Sequence, residues 1–325
     1  MRATPAADAA VPVRSLGGLD ASTRDLLSTV DKGRRRKDRV MTGLVWLAFL
    51  LAAAPLVSLL WTVLHNGMTK FNGYFLLHSM RNVSGGMDAG GAYHAIVGTL
   101  LITLGAAVIS VPIGLLAAIY LVEYGKGHLA RAVTFFVDIM TGIPSIVAGL
   151  FAFAVFAIFF GPGVRLGVMG SVALALLMTP VVVRSCEEML RLVPNELREA
   201  AYALGVPKWL TIVKVVLRTA VAGITTGVLL AVARVIGETA PLLIAVGTTA
   251  SINFDLFSGR MMTLPVFIYD QYHQGPARCA PNATNCLVSI NLDRAWAAAL
   301  TLLLIVVILN LVGRLVTRLF APKLR

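Results

Sequence analysis

Two groups of residues in this sequence have the types and spacing to do chemistry. The first is Arg234 and Glu238, a guanidinium and a carboxylate four positions apart inside an apolar run. A charge inside lipid is costly, and by default it faces a bundle interior or a water-filled path. On one helix, positions four apart share a face and can pair. A planar guanidinium fork suits a tetrahedral oxyanion. The spacing therefore predicts a gate in which an anion competes with Glu238 for Arg234. The alternative is a buried ion pair that only fixes helix packing. Arg184, at the end of another apolar run, is a second source of positive field along such a path, and Asp138 is a further charge early in an apolar segment.

The second group is a polar interlude between two apolar runs, in which Arg184, Glu187, Glu188, Arg191, Glu196, Arg198, Glu199, Lys208, Lys214 and Arg218 crowd together. Between them Met189, Leu190, Leu192, Val193, Leu197, Ala200, Ala201 and Leu204 recur at three- and four-residue steps, which predicts short amphipathic helices. Pro194 suits a helix start, and Gly205 with Pro207 suits a stop. A helix–turn–helix that cannot enter lipid, held between two spans, has the shape of a docking element for a soluble partner. An ordinary amphipathic surface helix is the plainer alternative.

Enzyme motifs are missing. The sequence has no Gly-x-x-x-x-Gly-Lys-Ser/Thr loop for nucleotide phosphates, no Gly-x-Ser-x-Gly and no paired-cysteine metal motif. Its five histidines are scattered. Of three cysteines, Cys279 and Cys286 lie close together in a polar stretch, where an external, oxidising location predicts a disulfide over two free thiols.

The elements that must position these residues follow from composition. Hydrophobic residues make up 58% of the chain and charged residues 14%, where soluble domains carry roughly 25% charge. Six apolar segments, near 41–64, 93–122, 132–160, 167–185, 210–247 and 295–316, reach the roughly 20 residues that cross a bilayer. Pro112, Pro144 and Pro241 are candidate kinks. Gly223-x-x-x-Gly227 allows a neighbouring helix to approach closely.

The net charge of +12 is unevenly placed. Residues 1–40, 123–131, 184–218 and 314–325 hold 21 of the 28 basic residues, against six on the opposite side. Excess Lys and Arg marks the cytoplasmic side, which predicts that both termini and the polar interlude are cytoplasmic. Residues 1–40 read as a basic tail whose run Lys32–Arg39 contacts anionic lipid, with no nucleic-acid partner. Residues 41–92 read as a first span with an external loop, and 93–325 as the main transmembrane domain, containing the loop 186–209.

Glu199-Ala200-Ala201, three residues, Gly205, nine residues, then Val215-x-Leu217 resembles the EAA loop of ATP-binding-cassette importer permeases, with Arg218 where that pattern closes on proline. Arg234-x-x-Gly237-Glu238-Thr239-Ala240-Pro241-Leu242-Leu243 is similar to a segment of PstA-type phosphate permeases. Gly142-Ile143-Pro144-Ser145-Ile146-Val147-Ala148-Gly149-Leu150 and Thr263-Leu264-Pro265-Val266 resemble two others. The resemblance implies an all-α, six-span type I importer permease that moves inorganic phosphate and has no ATPase site of its own. It implies coupling through Glu187, Glu199, Ala200, Ala201 and Gly205, and a substrate path through Arg234, Glu238 and Arg184. The implied partners are a second homologous permease subunit, two ATPase subunits that use ATP with Mg, and an extracytoplasmic phosphate-binding protein. The expected location is a prokaryotic inner membrane. Sulfate, molybdate or tungstate are alternative cargoes. An ion-coupled secondary transporter is the rival class, although no inverted copy of either motif is present.

Overall fold

The computed structural model describes residues 32–83, 85–279 and 285–320. It divides into two compact units, one up to Leu60 and one from Trp61 onward. Most of the expected basic tail, 1–31, lies outside the described residues, as do Lys323 and Arg325. The rest of that tail, Lys32–Arg39, is helical and opens α1 (Lys32–Gly67). The basic turns continue directly into the apolar run, so no backbone hydrogen bond is given up at the junction.

Up to Leu60, α1 presents exposed Leu47, Phe49, Leu50, Leu51 and Leu56. A mean hydropathy of 2.3 over its most apolar window makes lipid the natural solvent for that surface.

In the second unit, α2 (Gly73–Leu77) precedes α3 (Tyr93–Ile119), which ends in a π turn, Tyr120–Tyr124. Then come α4 (His128–Gly142), α5 (Ser145–Phe160), α6 (Gly167–Arg191), α7 (Asn195–Ala203) and α8 (Lys208–Thr211). A second π turn, Ile212–Val216, leads into α9 (Leu217–Val235), followed by α10 (Ala240–Ala245), α11 (Leu264–Gln274) and α12 (Ile290–Phe320). Among the described residues, and counting α1, five helices are long and apolar enough to cross a membrane, or six spans if the α4–α5 pair counts as one.

The core runs along α6, which packs on α3 and α9, and its buried face includes Met169, Leu174, Met178, Val182 and Leu190. Small residues set the approach of α9. A Cβ at Gly223 would lie 2.3 Å from the Met189 sulfur, and one at Gly227 would lie 2.6 Å from Ser185 Cβ. That is the close packing expected of two small residues four apart.

Two of the expected spans are broken. The segment 132–160 bends by 107° between α4 and α5. Pro144 supplies no N–H, and it pushes Ile143 into an extended conformation (φ −70°, ψ 127°), so the helix restarts in a new direction. The segment 210–247 stops at Val235 and resumes at α10, with Gly237 in the gap and Pro241 in the new first turn. At the other end of α3, the Thr99 hydroxyl accepts a hydrogen bond from Leu264 N–H (2.8 Å), one of the orphan donors at the start of α11. Cys279 and Cys286 form a disulfide with Cα atoms 5.7 Å apart, and Cys186 is buried in α6.

Candidate functional site

The polar interlude folds as a hairpin of short helices. After α6 the chain turns at Pro194, which precedes α7 and brings a pre-set φ to its start. At the other end Gly205 has φ +76°, a left-handed conformation that glycine adopts without a Cβ penalty. Gly205 N–H donates to Tyr202 O (2.9 Å) and Val206 N–H to Ala201 O (3.1 Å). That crossed pair is the Schellman arrangement, and it satisfies carbonyls at the end of α7. Pro207 then begins α8.

Buried charges hold the hairpin to the base of the bundle. Arg198 of α7 forms an ion pair with Glu123 (3.0 Å), with side-chain exposures of 12% and 5%. The same guanidinium donates to Val193 O (2.6 Å) and Leu190 O (3.0 Å), the carbonyls where α6 ends. Lys208 donates to the Glu123 carbonyl and sits 4.4 Å from the Tyr124 ring centre. Sequence reasoning missed this anchor. Its one local signal was Glu123 at the end of an apolar run, and the partner lies 75 positions away.

A second network lies beside it. Buried Glu187 accepts from Arg184 (2.9 Å) and Arg191 (2.6 Å), and Arg184 also binds Asp138 of α4. The expected coupling residue Glu187 thus lies buried in a clamp at the end of α6. Arg184, expected on the substrate path, is committed to two carboxylates and ties α4 to α6.

The outward face of the hairpin has a different character. Glu199, Ala200 and Gly205 are exposed, whereas Ala201 is buried against the bundle. Around them stand Leu192, Leu197, Tyr202, Leu204 and Trp209, exposed apolar side chains on an otherwise polar element. Leu204 is 84% exposed. An exposed apolar patch of this kind marks a contact surface for a protein or a membrane.

Arg234 and Glu238 do not form the expected pair. Helix α9 ends between them, and the Glu238 N–H caps Val235 O (3.1 Å), so the two are not on one helix face. The reason is Gly237 followed by Pro241, which favour a break where hydropathy alone suggests continuity. Among the described residues, neither side chain has an ion-pair or hydrogen-bond partner, and Arg234 is exposed at the helix end. Unforeseen Arg165 caps the following turn, donating to Leu243 O (3.1 Å) and Ile244 O (2.6 Å) and lying 5.8 Å from the Phe153 ring centre.

The arrangement is therefore a bundle of membrane-length helices with a hairpin that exposes apolar side chains at one end and, among the described residues, an uncommitted guanidinium at a helix break. Residues 110–325 match the family of binding-protein-dependent transport system inner membrane components. The chain belongs to that family. Among curated relatives, the phosphate transport system permease protein PstA 1 of Mycobacterium tuberculosis is 45% identical over 309 residues, covering 94% of this chain and 97% of the relative. The PstA proteins of Mycobacterium leprae (47% identical, 89% and 91% covered) and Pasteurella multocida (37%, 87% and 95%) are also similar. Among solved structures, an inward-facing methionine ABC transporter (MetNI) aligns with a TM-score of 0.51 at 21% identity, covering 71% of this chain and 94% of that one. A bacterial alginate ABC transporter aligns at 0.58 and 14% identity, covering 88% and 98%. These two likenesses concern the fold. The chain is thus a multi-pass inner-membrane component with an ABC importer permease fold.

Proposed function

We propose that this chain is the permease subunit through which an ATP-driven importer moves inorganic phosphate into the cell. The observation that carries the reading is similarity to phosphate permeases over 94% of the chain, joined to a hairpin whose apolar outer face is exposed. In this reading the hairpin and both termini face the cytoplasm, in line with the placement of basic residues. Two ATPase subunits, which hold ATP with Mg, receive α7. A second homologous permease completes the pore, and an extracytoplasmic phosphate-binding protein delivers cargo. The Arg198–Glu123 pair passes force from α7 to α3, and Glu199, Ala200 and Gly205 form the contact. Arg234 offers an unpaired guanidinium where an oxyanion must shed water, and a positive field there lowers the cost of passage.

The test is labelled-phosphate uptake in phosphate-starved cells with the chain deleted, restored, or restored as Gly205→Glu or Arg234→Gln, with sulfate uptake as control. Deletion abolishes phosphate uptake, and neither variant restores it at normal membrane abundance. Loss of sulfate, molybdate or tungstate uptake instead would reassign the cargo. Uptake that survives ATPase inactivation would favour an ion-coupled carrier.

A further inference from the structure

At the end of α3 opposite Glu123, a cavity of about 330 Å³ lies between the start of α3, helix α11 and the start of α12. Its polar wall is formed by His94, Asp270, Gln271 and Arg294, with Thr248 and Thr249 from the segment after α10. Three of these side chains are almost wholly withdrawn from solvent: His94 is 2% exposed, Gln271 3% and Arg294 1%. Each nevertheless keeps unsatisfied polar atoms. Among the described residues, both His94 ring nitrogens, Gln271 Oε1 and Arg294 Nε are buried without a hydrogen-bond partner. A buried polar group left unpaired costs about 1–3 kcal/mol, and the three residues that carry these four atoms all line this cavity, which points to an occupant.

The rest of the wall is held in place. The Arg294 terminal nitrogens donate to Met87 O (2.6 Å), Ala89 O (2.8 Å) and Asn291 Oδ1 (3.3 Å), which fixes the guanidinium and leaves Nε free. Gln274 donates to Asp270 (2.9 Å), and the His94 ring rests edge-on against Phe267, 5.3 Å between centres. The free positions have opposite demands. Arg294 Nε only donates, Gln271 Oε1 only accepts, and a neutral imidazole does one of each. The occupant must therefore both accept and donate hydrogen bonds beside a fixed positive charge.

We propose that this pocket is a receiving site for a protonated oxyanion, hydrogen phosphate, on the extracytoplasmic side of the permease. The proposal rests on the cargo and orientation proposed above. Phosphate oxygens accept from Arg294 and His94, and the P–OH donates to Gln271 or Asp270. Fully ionised sulfate has acceptors only and would set lone pairs against Gln271 Oε1 and the Asp270 carboxylate. The wall thus discriminates between two tetrahedral anions that the guanidinium alone does not. The chain connects the site to the path, because the stretch that leaves α9 at Arg234 passes through α10 and then supplies Thr248 and Thr249.

Equilibrium binding of labelled inorganic phosphate to the assembled complex, purified in lipid without its binding protein, tests this. Gln271→Met keeps the side-chain volume and removes the acceptor, and Asp270→Asn turns an acceptor into a mixed group. Intact Cys279–Cys286 and normal assembly show that the variants fold. The expected result is phosphate binding that excess sulfate does not displace, at least tenfold weaker in Gln271→Met, with sulfate competing in Asp270→Asn. Absence of phosphate binding, binding equal in both variants and wild type, or displacement by sulfate in the wild type overturns the proposal. If any of these occurs while cellular phosphate uptake still requires the chain, the pocket assignment falls and the permease reading stands. Uptake independent of the chain removes the permease reading itself.

Discussion

Replacing Arg198 with methionine should detach the hairpin from the bundle without unfolding the spans. Its guanidinium is the partner of a Glu123 carboxylate that is 5% exposed, and removing one member of a buried pair costs about 3–5 kcal/mol. The carbonyls of Leu190 and Val193 also lose their donor, at about 0.5–1.5 kcal/mol each. A total near 5 kcal/mol is about a several-thousand-fold loss in the docked-to-undocked ratio, at 1.4 kcal/mol per tenfold. Hydrogen exchange of the α7 amides should accelerate strongly while α6 and α9 stay protected. The double variant Arg198→Met/Glu123→Met removes the stranded carboxylate and should be less damaged than Arg198→Met alone. Unchanged α7 exchange in Arg198→Met, or a double variant whose loss equals the sum of the singles, refutes the anchoring role.

Other expectations follow from local geometry. At Gly205 there is open space around a new side chain but φ is +76°, so Gly205→Ala should cost about 1–2 kcal/mol of α7 stability and Gly205→Asn less, measured by the same exchange experiment. Cys279→Ser opens a short disulfide loop, which loop-closure entropy puts at about 2–3 kcal/mol. A lower thermal midpoint and a newly reactive Cys286 thiol would report it. Burial pushes the Asp270 carboxyl up, against hydrogen bonds from Gln271 and Gln274 and the nearby His273 charge. The folded state then binds its proton more tightly than the unfolded chain, so stability falls as pH rises from the ordinary carboxylate range through the folded value. Asp270→Asn should flatten that decline in thermal midpoints as pH rises above the ordinary carboxylate range.

Much of this protein was legible in the order of its residues. Hydropathy over about 20 positions is a local sum, so the apolar helices emerged, although 132–160 and 210–247 are each broken in two. The α7 hairpin emerged too, because Pro194, Gly205 and Pro207 act on the backbone within one or two residues of themselves. Cys279 and Cys286 were close enough in sequence to suggest their bond. Helix continuity through Pro144 and Gly237 was not legible, since an apolar run with a breaker is compatible with either a kink or a break. The neighbours packed around it select between them.

Partner choice among the charges was the other gap. Four-residue spacing suggested Arg234 with Glu238, which do not pair, whereas the pairs that tie separate elements together are Arg184 with Asp138, 46 positions away, and Arg198 with Glu123, 75 away. The unsatisfied wall of His94, Gln271 and Arg294 likewise draws on three helices far apart in sequence. Sequence alone determined which segments prefer lipid, where the chain must turn, and which family it resembles, because those properties depend on neighbours along the chain. Tertiary structure alone decided which charges neutralise one another and which remain free, because a guanidinium pairs with the carboxylate that packing brings within about 3 Å.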